Sequence, residues 1–333
     1  MTERQRVGQL LMVDCSSTGV SSATVAAIQR YHVGAVILDG TSTAGRQATR
    51  NVTDQLNRLA PRRVGLFIAT DQEGGLVQRL QGPGFSAIPS AVNQGQLDAA
   101  TLQGDAQQWG SELKSAGINV NLAPVLDTVP AGFGSNPPIG DLYRQYGNTP
   151  NAVATYGLAV ARGMTDAGID MTVKHFPGLG RTRGNTDTTG GVTDYVTTRQ
   201  DPYLAPFRAA IRAGVPFVMV STADYAKLDP DVPAAFSKTI ITGMLRQDLG
   251  FHGLVISDDV GIARQVRNYS IGQRAVAFVA AGGDVVLTVD ATQAADMTSA
   301  LLQQANLHPN FKKLVDAAAL RVLQEKQRKG LLA

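Results

Sequence analysis

The stretch KHFPGLGRTRGNTDTTGG, Lys174 to Gly191, sets a lysine and a histidine side by side at the end of an apolar run, IDMTV. A loop rich in Gly, Thr and Arg follows, with one carboxylate, Asp187, near its end. Ionisable groups taken out of water are costly and persist where they are paired or used. Comparable residues close other apolar runs. Asp71 and Glu73 follow one in ATDQEGG, Asp127 follows another, then come Ser221, Thr222 and Asp224, and then Asp258 and Asp259. Arg79 and Arg144 lie in adjoining segments. Carboxylates, Lys and Arg together suit a neutral polyol, because they make charge-assisted hydrogen bonds to neighbouring hydroxyls. Cleavage of a glycosidic bond needs two carboxyl-type groups, one at the anomeric carbon and one to protonate the leaving oxygen. Asp258, on a strand end, is the candidate for a rigidly held nucleophile.

Each residue also has a purely structural use. Asp127 and Asp259 are of the type that caps helix N-termini. Glu73 suits a helix start or an ion pair. Lys174 could serve only as a partner for Asp71 or Asp258, and His175 as a hydrogen-bonded core histidine. No His/Cys spacing for zinc and no ladder of carboxylates for calcium is present, so no metal site is expected.

The elements that must position these residues alternate regularly. Eight short apolar runs occur: GQLLMVD, VGAVILD, VGLFIATD, INVNLAPVLD, IDMTVKHF, VPFVMVS, GLVISDD and GDVVLTVD. Helical periodicity fills the segments between them, as in GRQATRNVTDQLNRLA, AVATYGLAVARGMTDAG and SKTIITGMLRQDLG, and a long helical tail runs from Ala291 to Gly330. Several helices stop in Gly just before the next strand, as in DAGID, RAGVP and AAGGD. Near-continuous apolar strands alternating with helices predict parallel strands buried on both faces. Eight such units predict an α/β fold, a (β/α)8 TIM barrel in one domain over residues 1–333, closed by the helical tail. The competing fold, an open doubly wound sheet, would favour a Gly-rich phosphate loop after the first strand, and GQLLMVDCSSTG supplies none. The two long loops, GPGFSAIPSAVNQG and VPAGFGSNPPIGDLYRQYGNTP, each join a strand to a helix, where a barrel builds its active site.

Composition agrees with this reading. The 333 residues are 44% hydrophobic and 17% charged, enough apolar material for a large core. A net charge of +3 with no run of Lys and Arg excludes an extended nucleic-acid footprint. No apolar stretch is long enough to span a membrane. The single cysteine, Cys15, rules out an internal disulfide and sits in an apolar segment, which predicts a buried thiol.

The segments DQEGGLVQRL, NVNLAPVLD, RQYG, KHFPG and LGFHGLVISDD occur in this order over nearly the whole chain, from about Arg6 to the last helix. In combination they resemble family 3 glycoside hydrolases, most of all the single-domain bacterial β-N-acetylglucosaminidases that remove GlcNAc from peptidoglycan fragments. The resemblance implies a barrel, a retaining mechanism through a covalent glycosyl-enzyme, a carbohydrate substrate and no cofactor. It makes Asp258, the first Asp of SDD, the nucleophile. Asp71, Arg79, Arg144, Lys174 and His175 would hold the sugar hydroxyls.

The loop after KHFPG departs from that family. The usual pattern is KHFPGHG, four residues, then Asp-Ser-His, whose His is the general acid/base. Here Leu179 replaces the first histidine, and an ungapped count places Asn185, Thr186 and Asp187 at the Asp-Ser-His positions. A two-residue slip would instead put Thr189 at the histidine position, and Thr is no proton shuttle near neutral pH. Thr222 likewise stands where similar enzymes often carry a histidine. Two readings of Asp187 follow. It is the acid/base, on a loop whose glycines let it swing and with a pKa raised by Asp258. Alternatively it only tethers the loop to Arg181 or Arg183, and the protein binds sugar with little cleavage. A β-glucosidase-type activity is a further alternative. An unperturbed Asp titrates near about 3.9 and a His near about 6.5, so an Asp187 acid predicts an acid-shifted rate profile unless burial lifts its pKa. A carboxylate there also favours hydrolysis over phosphorolysis by repelling phosphate. Oligomeric state is left open. A trimmed leader would place the protein in the cell envelope, and a native Met1 in the cytoplasm.

Overall fold

The computed structural model describes residues 1–61 and 63–332. Its main sheet has eight parallel strands: β1 Leu11–Ser16, β2 Ala35–Asp39, β3 Phe67–Thr70, β4 Val120–Asn121, β5 Asp170–Phe176, β6 Phe217–Val220, β7 Leu254–Ser257 and β8 Val286–Thr288. Each pairs with its neighbour in chain order, and β8 pairs with β1 through Leu11↔Val286. A parallel bridge, Ile256↔Val285, joins β7 to the segment entering β8 and closes the ring. Closure settles the choice between the barrel and the open sheet.

Strand residues alternate between two cores, as the period of two requires. Met12, Ile37, Phe67, Leu122, Phe217, Met219, Ile256 and Leu287 fill the barrel interior. Phe67 and Phe217 meet edge to face across it at 5.4 Å. Leu11, Val13, Cys15, Val36, Leu38, Ile68, Val218 and Val255 face outward under the helices. Cys15 is buried, and that burial pushes its thiol up to about 12.

The surrounding helices form largely where periodicity places them, including Arg46–Leu59, Pro150–Asp166 and Ile271–Ala281. Gly168, Gly214 and Gly282 take positive φ at their stops. Three details differ from the expectation. A helix at Glu3–Gln9, fixed by a Thr2–Gln5 capping box, precedes β1 and absorbs the first residues of GQLLMVD. Thr239–Asp248 winds with π-type hydrogen bonding. The tail is two helices, Ala294–Leu307 and Pro309–Arg328, because Pro309 pushes His308 into extended backbone. The last helix closes the N-terminal end of the barrel: Val322 packs into the interior core, and Lys326 Nζ donates to Gln9 Oε1 at 2.6 Å and to the Gly34 carbonyl at 2.7 Å. No helix among the described residues is long and apolar enough to cross a membrane.

Candidate active site

The strand ends converge on a cleft of about 300 Å³ at the C-terminal mouth of the barrel. Asp71, Arg79, Arg144, Lys174, His175, Asp187 and Asp258 all line it, brought from segments up to 187 residues apart (258 − 71). The inward residues Ile37, Leu122, Met219 and Leu287 form an apolar floor, and Pro138, Leu142 and Ile262 contribute apolar walls.

A buried ion network organises one side. Glu73 receives Nε and a terminal NH2 of Arg144, each at 2.8 Å. Lys174 Nζ lies 2.6 Å from Asp71 Oδ1 and 2.7 Å from Glu73 Oε1. Burial alone would raise the Glu73 pKa, but the adjacent Arg144 and Lys174 outweigh it and hold the carboxyl well below its ordinary range. Burial opposes the charge on Lys174, and Asp71 and Glu73 overcome it and raise its pKa. Glu73 is therefore an ion-pair partner rather than a helix-start charge. Of the three protons on Lys174, two are engaged and one remains for a ligand. Arg144 also donates to the Pro138 carbonyl at 2.7 Å. The Nε of Arg79 has no hydrogen-bond partner among the described residues.

Asp127, weighed above as a helix cap, caps nothing. It is fully buried and holds the turn after β5. Its carboxylate accepts the His175 Nδ1–H at 2.7 Å, the His175 backbone N–H at 3.2 Å and the Leu179 N–H at 2.7 Å. With Nδ1 facing Asp127, the ring turns its Nε2 away from Asp127, and that atom lies 3.5 Å from Arg144. The Lys174–His175 and Phe176–Pro177 peptides are cis. Leu179 is itself buried and lines the cleft. Lys174 pairs with Asp71 and Glu73, and its nearest carboxylates do not include Asp258.

Asp258 follows β7, its N–H donating to the Val220 carbonyl at 2.9 Å and its Oδ1 accepting the Asp259 N–H at 2.8 Å. Burial raises its pKa, while His175, the Asp259 amide and Lys174 favour the charged form. Asp259, which borders the cleft, does not cap the helix after β7 as its type suggested. It accepts N–H bonds from Gly261, Ile262 and Ala263 and so caps the turn, whereas the next helix begins at Ile271 with Ser270 as its cap. Asp187 opens onto the cleft. Its side chain is exposed at the cleft mouth, yet the protein crowded about it and the Asp258 charge raise its pKa to about 6, while His175 and Arg144 oppose the rise. The tether to Arg181 or Arg183 is overturned. Arg181 pairs with Asp201 at 2.9 Å and stacks on Tyr203, and Arg183 lies over the Phe133 ring. Thr222 is fully buried, its hydroxyl has no partner among the described residues, and it is not among the residues that line the cleft.

Sequence reasoning overlooked Asp39, which ends β2 and lines the same cleft. The signal was present: VILD closes with an Asp as other strands do. Two acids, one fixed on a strand end and one on a loop with a raised pKa, can divide nucleophilic attack and proton transfer between them.

The profile described as "Glycosyl hydrolase family 3 N terminal domain" matches residues 2–324. A beta-hexosaminidase of Xylella fastidiosa strain M23 is 34% identical over 300 residues, covering 88% of this chain and 87% of its own. A beta-hexosaminidase of Stenotrophomonas maltophilia strain K279a is 33% identical over 294 residues, covering 84% and 82%. Among solved structures, a beta-N-acetylhexosaminidase from Beutenbergia cavernae superposes with a TM-score of 0.97 at 48% identity, over 98% of this chain and 99% of that one.

Proposed function

The chain belongs to glycosyl hydrolase family 3 and is a glycoside hydrolase, and from that premise we propose that it is a retaining β-N-acetylhexosaminidase acting as one catalytic domain. Its substrate is a glycan ending in β-linked GlcNAc, namely peptidoglycan or its fragments, the class the sequence resemblance implies. The observation that carries the reading is the pairing of Asp258 with Asp187 in one cleft, where the Asp258 charge helps lift Asp187 to about 6.

In the first step Asp258 attacks the anomeric carbon. The glycosidic bond breaks, and Asp187 gives its proton to the departing oxygen. In the second, Asp187 takes a proton from water, the water oxygen attacks the anomeric carbon, and the ester to Asp258 breaks. In this reading Asp187 carries the proton and Asp258 is the carboxylate, supported there by the Asp259 amide N–H and the Lys174 charge against the rise that burial imposes. Asp71, Arg79, Arg144, Lys174 and His175 hold the sugar. Asp127 fixes the His175 ring, and Glu73 braces Lys174 and Arg144.

The test is hydrolysis of a chromogenic aryl β-GlcNAc beside the β-glucoside. Wild type is expected to prefer the GlcNAc substrate, and Asp258→Ala to abolish turnover. Asp187→Ala is expected to spare kcat/KM for an activated leaving group and to lower it for a poor one, since only the latter needs a proton to depart, while kcat falls on both because the second step loses its base. Preference for the glucoside would move the assignment to a β-glucosidase. Full activity of Asp187→Ala on poor leaving groups would remove Asp187 from the mechanism.

A further inference from the structure

The loop that carries Asp187 is fastened to the loop that begins at Asp258. The Arg264 N–H donates to the Asp187 carbonyl at 3.2 Å, and the Gln265 N–H to the Thr186 carbonyl at 3.1 Å. The Gln265 side chain is buried. Its Oε1 accepts the Val192 N–H at 2.8 Å, and its Nε2 donates to Asp224 Oδ2 at 3.0 Å. One residue thus joins the loops that follow β5, β6 and β7. Asp224 depends on that amide, because its other carboxylate oxygen is buried without a partner among the described residues. The Asp187 loop is also pinned where it begins. Asn136 Nδ2 donates to the Leu179 and Thr182 carbonyls at 2.9 and 2.8 Å.

Among the described residues nothing bonds to the Asp187 carboxylate, so its aim is set by this backbone. Its own N–H donates to Asn185 Oδ1 at 2.9 Å, closing a local turn. We infer that Gln265 is a positioning residue for proton transfer, latching the loop of the acid to the loop of the nucleophile so that the two carboxyl groups approach the substrate as one unit. The inference rests on Asp187 being the acid/base. It replaces the picture of a loop free to swing with one held in register, and it gives the neutral Asn185 a purpose: it shapes the turn without adding a second charge beside Asp187.

The experiment compares wild type, Gln265→Met, Asp187→Ala and the double variant on aryl β-GlcNAc substrates whose phenols range from strongly to weakly acidic. Methionine keeps the volume and the backbone N–H bond and removes only the amide. In kcat/KM, which reports the first step, Gln265→Met is expected to stay within about 2-fold of wild type on the most activated substrate. On the weakest leaving group it is expected to lose about 10- to 100-fold, the scale of a misplaced catalytic group. The alkaline limb of its kcat/KM profile should also move from that of wild type. The double variant should be no slower than Asp187→Ala, because the latch acts only through that residue. Ratios between substrates are internal to each variant, so partial loss of folded protein cancels. An equal loss on every substrate, no loss, or a double variant slower by the product of the single effects would overturn the inference. Flat leaving-group dependence in Asp187→Ala is a separate result, which would instead remove the acid assignment on which the latch depends.

Discussion

Replacing Glu73 by Gln separates the brace of this site from its chemistry. Glu73 is buried, with a side chain 5% exposed, and accepts two bonds from Arg144 and one from Lys174 at 2.7–2.8 Å. Gln offers one acceptor oxygen, and its NH2 would point at a cation. Arg144 would then lose its one carboxylate in direct contact, and Lys174 would keep only Asp71. Removing one partner from such a network costs about 3–4 kcal/mol. For 333 residues the unfolding entropy is about 0.7 kcal/mol/K, so the expected fall in Tm is about 5 °C. The sign with pH follows from the lowered Glu73 pKa. Its contribution is fully present above the unfolded value of about 4.3 and is lost only as pH falls toward the lower folded value. The gap between variant and wild type should therefore be constant from about pH 5 upward. In aryl β-GlcNAc hydrolysis KM should rise, because Lys174 and Arg144 lose their orientation, while kcat falls less. Calorimetry at pH 5 and pH 7 with steady-state kinetics decides the matter. An unchanged Tm, or a collapse of kcat as deep as that of Asp258→Ala, would refute the assignment of Glu73 as a brace.

Three further outcomes are expected. Because the acid must be protonated to work, kcat/KM should fall as pH rises through about 6, the raised Asp187 value, and Asp187→Asn should remove that limb on poor leaving groups. Asn185→Asp adds a negative charge beside Asp187, so the limb should move to higher pH; a limb that stays in place would show that Asp187 does not titrate in catalysis. Lys326, buried at the closed end of the barrel, has its pKa lowered to about 7 by burial. The unfolded chain binds that proton up to about 10.4, so the Lys326 contribution to stability should grow as pH rises from about 7 to about 10, adding a positive slope. Lys326→Met should flatten this slope in denaturant titrations, and an unaltered slope would contradict it.

The barrel was legible because most strands lie in near-continuous apolar runs ending in a polar residue, and helical periodicity fills the crossovers. The cleft was legible for the same reason, since strand ends meet at one mouth whatever their separation in sequence. What escaped was partner choice. Asp127 looks like a cap, and only the fold brings His175, 48 residues on, against it. Gln265 sits in an unremarkable turn, and its bonds to Val192 and Asp224 span three loops that no local pattern connects. Asp187 could be placed by counting, but its pKa depends on enclosure and on Asp258, which are properties of the folded cleft. The acid shift expected for a carboxylate acid is accordingly smaller than composition suggests. The break at Pro309 was readable, and the length of the periodic tail masked it.

The most direct test of the account is covalent. Wild-type protein incubated with a 5-fluoro-GlcNAc donor carrying an activated leaving group should accumulate a slowly hydrolysed glycosyl-enzyme. Intact-mass measurement should show a gain of one fluorinated GlcNAc residue, peptide mapping should place it on Asp258, and Asp258→Ala should show none. An adduct on another residue, or GlcNAc binding with neither turnover nor adduct, would contradict the mechanism and leave a sugar-binding protein in its place.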